Sequence, residues 1–256
     1  MDIKEAALRP ATQRSRHPWE MARAAVVQRL LHGANQDSAV VLDFGCGDCF
    51  VIQQLASSYP QWRFVGMDSA LMPDMIENLR AETGIPHLEI YESLDGAPRT
   101  GPRADIVLLL DVLEHVERPG DLLRQIADAD LVSPDAIYLI TVPAFQPLFC
   151  YHDRFLEHFR RYNRRDLAAL VAGVGLSVRR IGYFFTGLLL PRLVEVGLEK
   201  TLLWSPRTTG VVRWKGHGQL DVALSRLLLL DFMVTNTAQR CGVTLPGLTC
   251  FAICQK

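Results

Sequence analysis

VVLDFGCGDCF, at residues 40–50, joins an apolar run with the composition of a buried strand to a glycine-rich turn. Val51, Ile52 and Leu55 follow at helical spacing, and Pro60 ends that helix because proline has no backbone N–H. A strand that passes through a glycine turn into a helix is the first half of a parallel β-α-β unit. Ligands of open α/β folds bind at this carboxyl edge of the sheet.

The alternation continues outward from this stretch. Apolar and β-branched runs predict strands at 40–44, 63–68, 87–91, 105–110, 136–142, 178–183 and 249–254. Helical patterns occupy three of the connections among the first five strands, those that lead into 63–68, 87–91 and 136–142, and helical crossovers imply parallel strands. We therefore predict an α/β fold: a Rossmann-like, doubly wound, mostly parallel seven-stranded sheet with helices on both faces and a helical insertion before the last strand.

The chain is predicted to form one domain, residues 1–256. An N-terminal helix region (1–34) contains a helix at 19–31 that Gly33 ends, the core comprises 35–183 and 248–256, and a helical insertion fills 184–247. The insertion holds two leucine-rich helices, around 188–203 and 220–234, and the second is apolar nearly all round, which predicts burial on several sides. The insertion covers an acceptor pocket, forms a homodimer interface or rests on a membrane surface; the pattern leaves these open.

Charge and composition limit the partners. The formal net charge is −1, so no global basic field attracts nucleic acid, and none is expected as a partner. Residues 1–17 contain no apolar run typical of a secretory signal, which predicts a cytoplasmic protein with reduced cysteines. The longest strongly apolar run, 181–191, is 11 residues, against the roughly 20 of a membrane-spanning helix. Peripheral membrane contact stays open.

The residues around the glycine turn favour a cationic ligand. A dinucleotide fingerprint would need glycine at position 50, where Phe50 stands. Asp43 and Asp48 flank the glycines and would repel a pyrophosphate. Asp68 ends the next strand, where a carboxylate can accept hydrogen bonds from ribose hydroxyls. S-adenosylmethionine, which has a sulfonium, an ammonium and no phosphate, suits this turn.

VLDFGCGDCF, VGMDSA and LLLDVLEHVERPGDLL resemble the successive motifs of class I S-adenosylmethionine-dependent methyltransferases, over residues 17–182. The resemblance is to the branch with a D/E-x-x-E-H-V segment after the fourth strand, here 111–116. It implies S-adenosylmethionine as cofactor and S-adenosylhomocysteine as product, with Asp43, Gly45 and Asp111 at the methionine end, Asp68 at the ribose and 92–94 at the adenine. The cofactor-binding residues expected are Asp43, Gly45, Cys46, Gly47, Asp68, Ser69, Glu92, Ser93, Leu94 and Asp111. Cys49 replaces the usual third glycine, which is expected to tighten the turn.

The acceptor side is expected after the fifth strand. His158-x-Arg160-Arg161-Tyr162 resembles a segment of a bacterial subset whose members act on sugars, lipids or unassigned acceptors. His115, His152 and His158 are candidate bases or acceptor contacts, or else structural histidines. Arg160, Arg161 and Tyr162 are candidate acceptor-binding residues, although intramolecular ion pairs would also explain the arginines. The acceptor is expected to be a small molecule, a sugar or a lipid.

Other functions stay open beside methyl transfer. Cys46 and Cys49 could form a redox pair, or bind zinc with Cys250 and Cys254, but the spacing is unlike a zinc ribbon and we expect no metal. The main alternative is a non-catalytic adenosine-ligand-binding or interaction module on the same fold. A nicotinamide-dependent oxidoreductase is disfavoured by Phe50.

Overall fold

The computed structural model describes residues 16–32, 37–97, 101–202 and 218–256. Its strands are β1 Val40–Phe44, β2 Arg63–Met67, β3 Leu88–Tyr91, β4 Ala104–Leu110, β5 Val132–Pro143, β6 Ser177–Phe184 and β7 Thr249–Gln255. They form one seven-stranded sheet in the order β3-β2-β1-β4-β5-β7-β6. Pairing is parallel from β3 to β5, and β7 is antiparallel to both β5 and β6. The predicted mostly parallel seven-stranded sheet is confirmed.

Helices connect these strands much as the periodicity predicts. They are α1 Pro18–Leu31, α2 Phe50–Ser58, α3 Pro73–Thr83, α4 Pro119–Ala127, α5 Tyr151–Phe155, α6 Arg164–Gly173, α7 Leu189–Leu202 and α8 Gln219–Arg240. The side chain of His17 accepts from a backbone N–H of α1, and Asn163 accepts from the first turn of α6, so both helices begin at a capping residue. Gly33, the predicted end of the first helix, lies outside the described residues.

Apolar side chains cover both faces of the sheet. On one face, Val41 and Ile106 pack with α1, α2, α3 and Phe232 of α8. On the other, Leu42 and Val107 pack with α4 and α6. Neighbouring strand residues point to opposite faces, so the continuous apolar runs of β1 and β4 are buried on both sides. Helices therefore lie on both faces, as predicted.

Helix α8 departs from its prediction. It is not buried on several sides, and that expectation is wrong. The residues that the helix buries include Asp221, Ser225, Thr235 and Phe232, and the hydroxyls of Ser225 and Thr235 donate to carbonyls of the helix itself. Large apolar side chains instead face solvent on α7 and α8: Leu190, Leu193, Val194, Leu198, Leu220, Val222, Leu227, Leu230, Met233 and Val234. The reason is that α8 packs chiefly along α1 and beside β6, which leaves its other side uncovered.

The partner of this exposed surface stays a prediction, whether a second copy or a membrane surface. Residues 203–217, between α7 and α8, lie outside the described part of the chain. Within that part, no helix is both long enough and apolar enough to cross a membrane.

Candidate functional site

A cavity of about 730 Å³ opens at the carboxyl ends of the parallel strands. Its walls include Gly45 after β1, Asp68 after β2 and Asp111 after β4. The first helix supplies Trp19 and Arg23 to the lining, and α7 supplies Arg192. This volume falls within the roughly 300–1,000 Å³ typical of ligand pockets, and the cavity lies at the edge of the sheet where the sequence predicts a ligand.

The glycine turn is shaped by close backbone approach. Gly45 has φ +81°, and a Cβ there would lie 2.5 Å from Cγ2 of Val112. The N–H groups of Gly45 and Cys46 both donate to the carbonyl of Met67, at 2.7 and 3.1 Å. Glycine is therefore required at position 45 both by its left-handed conformation and by the neighbouring loop.

The structure brings part of the expected cofactor set together. Gly45, Asp68, Ser69 and Asp111 line the cavity. Asp68 accepts hydrogen bonds from the N–H groups of Gly47 (2.9 Å) and Ala70 (3.0 Å). Its carboxylate therefore joins the glycine turn to the start of the next loop.

The remaining expected cofactor residues do not line the cavity. Asp43 is buried directly behind the turn, and Cys46 is packed into the core below it. Glu92 and Ser93 are exposed beyond β3, while Leu94 is partly buried against the core. The adenine role that the resemblance implies for 92–94 therefore stays a prediction.

Two acidic residues of the turn differ in charge state. Burial raises the pKa of Asp43 to about 7, although the positive charge of Arg23 opposes the shift, and its Oδ1 has no hydrogen-bond partner among the described residues. The pKa of Asp48 lies below its ordinary value. Burial alone would raise it, but the ion pair with Arg16, 2.5 Å between Nη1 and Oδ2, helps to lower it. Because Arg16 neutralises the charge of Asp48, the two carboxylates are not equivalent, and their attraction for a cationic ligand stays a prediction.

Cys49 adopts the conformation that explains why glycine is usual at this position. Its φ is +58°, in the left-handed region, where it precedes α2. Its sulfur lies 3.9 Å from that of Cys46, and both thiols are buried. Cys250 and Cys254 belong to the apolar cluster on the other face of the sheet. The four cysteines considered for zinc are therefore not brought together.

Asp111 anchors the first helix over the cavity. Its φ is +57°, a strained conformation for a residue other than glycine. Its Oδ1 accepts from the hydroxyl of Thr141 (3.0 Å), and its Oδ2 lies 3.0 Å from Nη2 of Arg23. The guanidinium of Arg23 also lies 5.2 Å from the ring centroid of Trp19. The sequence reasoning missed both α1 residues, although an arginine beside the apolar stripe of Ala22 and Val26 was a readable signal.

On the acceptor side, Glu114, His115 and His158 lie together, with potential ligand atoms within 4.8 Å of one another. Glu114 is fully buried, and neither of its carboxylate oxygens has a hydrogen-bond partner among the described residues. Burial, reinforced by the nearby charge of Asp111, raises the pKa of Glu114 well above its ordinary value. The expected histidines thus meet a carboxylate to which the sequence reasoning assigned no role.

Asp153 holds His158 and Arg161 in position. Its Oδ1 lies 2.9 Å from Nδ1 of His158 and 2.7 Å from Nε of Arg161. Burial alone would raise the pKa of Asp153, but these two partners hold it below its ordinary value. Burial, with the charge of Arg192, lowers the pKa of His152 to about 3, so this imidazole is neutral at neutral pH and a weak base.

The expected acceptor-binding residues separate in the structure. Arg161 lines the cavity, but its side chain bonds Asp153 and the carbonyl of Ala144. Arg160 donates to the carbonyl of Glu117, and the hydroxyl of Tyr162 donates to the carbonyl of Leu113. Neither Arg160 nor Tyr162 lines the cavity.

The sheet is mostly parallel, and one cavity at its edge is lined by the glycine turn and by two carboxylates at strand ends. These features define a Rossmann-like small-molecule site. The methyltransferase domain family matches residues 16–181 of this chain. The chain belongs to this family, the class I S-adenosylmethionine-dependent methyltransferases.

Individual relatives are more distant. The chain is 33% identical over 96 residues to the ubiquinone biosynthesis O-methyltransferase of Serratia proteamaculans (strain 568), a match that covers 37% of this chain and 38% of that relative. The structure of the [4+2]-cyclase SpnF is similar with a TM-score of 0.58 and 12% identity, over 97% of this chain and 85% of that one. The plantazolicin methyltransferase BamL, solved with a triazolic desmethylPZN analogue and SAH, gives a TM-score of 0.53 and 15% identity, over 92% and 84%. These two likenesses show the fold alone.

Proposed function

We propose that this chain transfers the methyl group of S-adenosylmethionine to a hydroxyl oxygen of a small molecule with an apolar body. The observation that carries the proposal is the single cavity that joins the strand-end residues Gly45, Asp68 and Asp111 to Glu114 and the three histidines. Methyl transfer is a displacement at a carbon already activated by the sulfonium, so the protein's main task is to align two bound molecules. One cavity with two chemically different ends supports that task.

The strand-end side suits the cofactor. Asp68 presents a carboxylate at the end of β2, where ribose hydroxyls of bound nucleosides lie in such folds. Asp111 lines the cavity beside the turn and Asp43 is buried directly behind it. We expect their carboxylates to favour a cationic amino acid end, Asp43 through space instead of by direct contact. The complex of the related BamL with SAH supports the same class of cofactor.

The other side suits an acceptor with an apolar body. Its walls combine apolar and ionisable side chains, and the apolar ones include Val112, Val116, Leu122, Leu156 and Leu248. Each of the three arginines on the described wall, Arg23, Arg161 and Arg192, is paired with a carboxylate of the protein, which disfavours a phosphate on the acceptor. The relative from Serratia proteamaculans is an O-methyltransferase, which supports oxygen as the methylated atom.

Calorimetric titration of the purified protein tests the cofactor half. We expect one S-adenosylmethionine and one S-adenosylhomocysteine site per chain, and no binding of NADH. Asp68→Ala should weaken both adenosyl ligands, while Asp95→Ala, an exposed aspartate after β3, should not. Folded protein that binds neither adenosyl ligand would contradict the proposal.

A second function on the same fold is favoured by one observation, the likeness to the [4+2]-cyclase SpnF over most of both chains. An adenosyl-binding protein that does not transfer methyl groups would bind S-adenosylmethionine without consuming it. Incubation with methyl-labelled cofactor and a panel of apolar phenols and alcohols separates the two functions. Label in a product supports methyl transfer, whereas binding without release of S-adenosylhomocysteine supports the alternative.

A further inference from the structure

Glu114 is the least explained polar side chain of the cavity. It is fully buried, it lines the cavity, and both of its oxygens lack hydrogen-bond partners among the described residues. A buried carboxylate without a partner costs several kcal/mol, roughly, so such groups are normally paired, protonated or bound to a metal. The protein itself therefore leaves both oxygens of Glu114 available to a ligand in the cavity.

The cationic side chains around Glu114 already have partners. Arg23 pairs with Asp111 at 3.0 Å, and Arg161 pairs with Asp153 at 2.7 Å. Asp68, the remaining carboxylate of the cavity wall, accepts two backbone N–H groups. Once these pairs are formed, Glu114 is the carboxyl on the described wall that has neither a cationic side-chain partner nor a hydrogen bond to its oxygens.

The two histidines are positioned beside this carboxylate. The N–H of Phe159 donates to the carbonyl of Glu114 at 2.8 Å, which ties the segment that carries His158 to the one that carries His115. The imidazole rings meet edge to face, with centroids 4.5 Å apart. The cluster is therefore held by backbone and ring contacts before any ligand arrives.

Asp153 prepares His158 to act as a ligand. When Nδ1–H of His158 donates to Oδ1 of Asp153, at 2.9 Å, the lone pair is left on Nε2. Metal-binding histidines commonly have such a carboxylate behind them, because it fixes the tautomer and strengthens the donor nitrogen. Arg161 in turn fixes the position of Asp153.

We propose that Glu114, His115 and His158 bind one divalent transition-metal ion. Two ligands of a tetrahedral zinc ion lie about 3.4 Å apart when each is about 2.1 Å from the metal. The potential ligand atoms here lie within 4.8 Å of one another, so side-chain rotations that close roughly 1.4 Å complete the site. From the sequence we expected no metal, because the ligands considered there were cysteines and Glu114 had no assigned role.

The donor set indicates which ions would bind. Two imidazoles and one carboxylate suit Zn²⁺, Fe²⁺, Co²⁺ and Ni²⁺, whereas Mg²⁺ and Ca²⁺ prefer oxygen ligands alone. Three protein ligands leave at least one position open towards the cavity. If the proposed function holds, a hydroxyl acceptor bound there would have its pKa lowered by the ion, and His115 and His158 would be ligands instead of bases.

Metal binding can be measured without cofactor or acceptor. Protein stripped with a chelator is titrated with Co²⁺ by absorption and with Zn²⁺ by equilibrium dialysis and elemental analysis. We expect one ion per chain, a cobalt spectrum without thiolate charge transfer, and a higher melting temperature with metal, because the ion binds only the folded state. A thiolate band would place the ion at Cys46 and Cys49 and would overturn the proposal.

Glu114→Gln is the decisive variant, since it keeps the shape of the side chain and removes the charge. It should weaken binding by about 100-fold or more, because loss of even an outer partner of a metal ligand typically costs 10–100-fold. His115→Ala should have a similar effect. Glu117→Gln makes the same change at an exposed residue three positions on and should bind as the wild type does. Equal affinity of Glu114→Gln and wild type, or no binding to wild type, would overturn the site.

The same metal-free and metal-loaded samples are titrated with S-adenosylmethionine. Metal binding without cofactor binding would leave the site standing and refute the proposed function. Cofactor binding without metal binding would do the reverse.

Discussion

If S-adenosylmethionine binds as proposed, Asp43 should make its affinity depend on pH in a direction that follows from the burial of this carboxyl. Its side chain is 2% exposed, and burial raises its pKa from 3.8 to about 7, with Arg23 opposing the shift and Asp68 and Asp48 adding to it. A cationic ligand favours the ionised carboxylate, so the proton on Asp43 must leave when S-adenosylmethionine binds. Affinity should therefore fall as the pH drops below about 7.

The size of the effect follows from the ionised fraction of Asp43. With a pKa of about 7, about half of the free protein carries the anion at pH 7 and about 3% at pH 5.5. The dissociation constant should therefore rise about 16-fold over this range, or roughly 1.6 kcal/mol. The ligand's own amino group, with a pKa of about 7.7–8.0, stays protonated throughout and adds little to the change.

Calorimetric titration at pH 5.5, 6, 6.5 and 7 measures this dependence. Repeating the titration at pH 7 in two buffers of different ionisation enthalpy should show about half a proton released per ligand, by the same linkage. Asp43→Asn should bind more weakly at pH 7 and lose most of the pH dependence. His152 does not contribute, because its pKa is about 3. A 16-fold change that persists in Asp43→Asn would assign the proton to another group and refute the reasoning.

Further substitutions at Gly45, Asp68, Arg23 and Asp43 test the contacts of the site. Gly45→Ala places a methyl group 2.5 Å from a side-chain carbon of Val112, at a residue whose φ is +81°. It should lower the free energy of unfolding in urea by about 1–3 kcal/mol. Unchanged stability together with normal cofactor affinity would contradict the turn geometry described above. Asp68→Ala removes the acceptor of two loop N–H groups and should weaken adenosyl ligands by about 1.5–3 kcal/mol, whereas Asp68→Asn should lose less. Arg23→Met leaves Asp111 without its ion-pair partner and should cost about 3 kcal/mol of unfolding free energy; no change would mean that the pair adds nothing to stability. Asp43→Asn should stabilise the ligand-free protein above pH 7. The pKa of the Asp43 carboxyl is raised on folding, so its ionisation lowers the free energy of unfolding as the pH rises from about 4 to 7, and asparagine does not ionise.

The sheet was predictable because each of its strands has a local signature. The predicted 40–44 strand coincides with β1, Val40–Phe44, and the other strands differ by a few residues at their ends. The largest difference is β5, which begins at Val132, four residues before the predicted strand at 136–142. The register of the pairing between β4 and β5 shifts between Ala104 and Ile106, which accommodates the extra residues of β5. The apolar pattern of the sequence does not predict such a shift.

Helix α8 shows where local pattern fails. Its apolar residues predict burial all round, yet Leu227 is 61% exposed and Asp221 is buried. Which side of a helix is covered depends on the elements that reach it, here α1 and β6, and those are more than 30 residues away in sequence. The same applies to Asp48, whose charge is readable but whose partner Arg16, 32 positions earlier, is not.

The two halves of the candidate site differ in how far sequence can reach them. The proposed cofactor half depends on backbone turns after β1 and β2, so its residues stand in short motifs, and Gly45 and Asp68 both line the cavity. The proposed acceptor half is lined by Arg23, Glu114, His158 and Arg192, which belong to four separate segments. Its chemistry depends on which charges cancel: Glu114 acquires its significance only because the structure pairs both neighbouring arginines with other carboxylates.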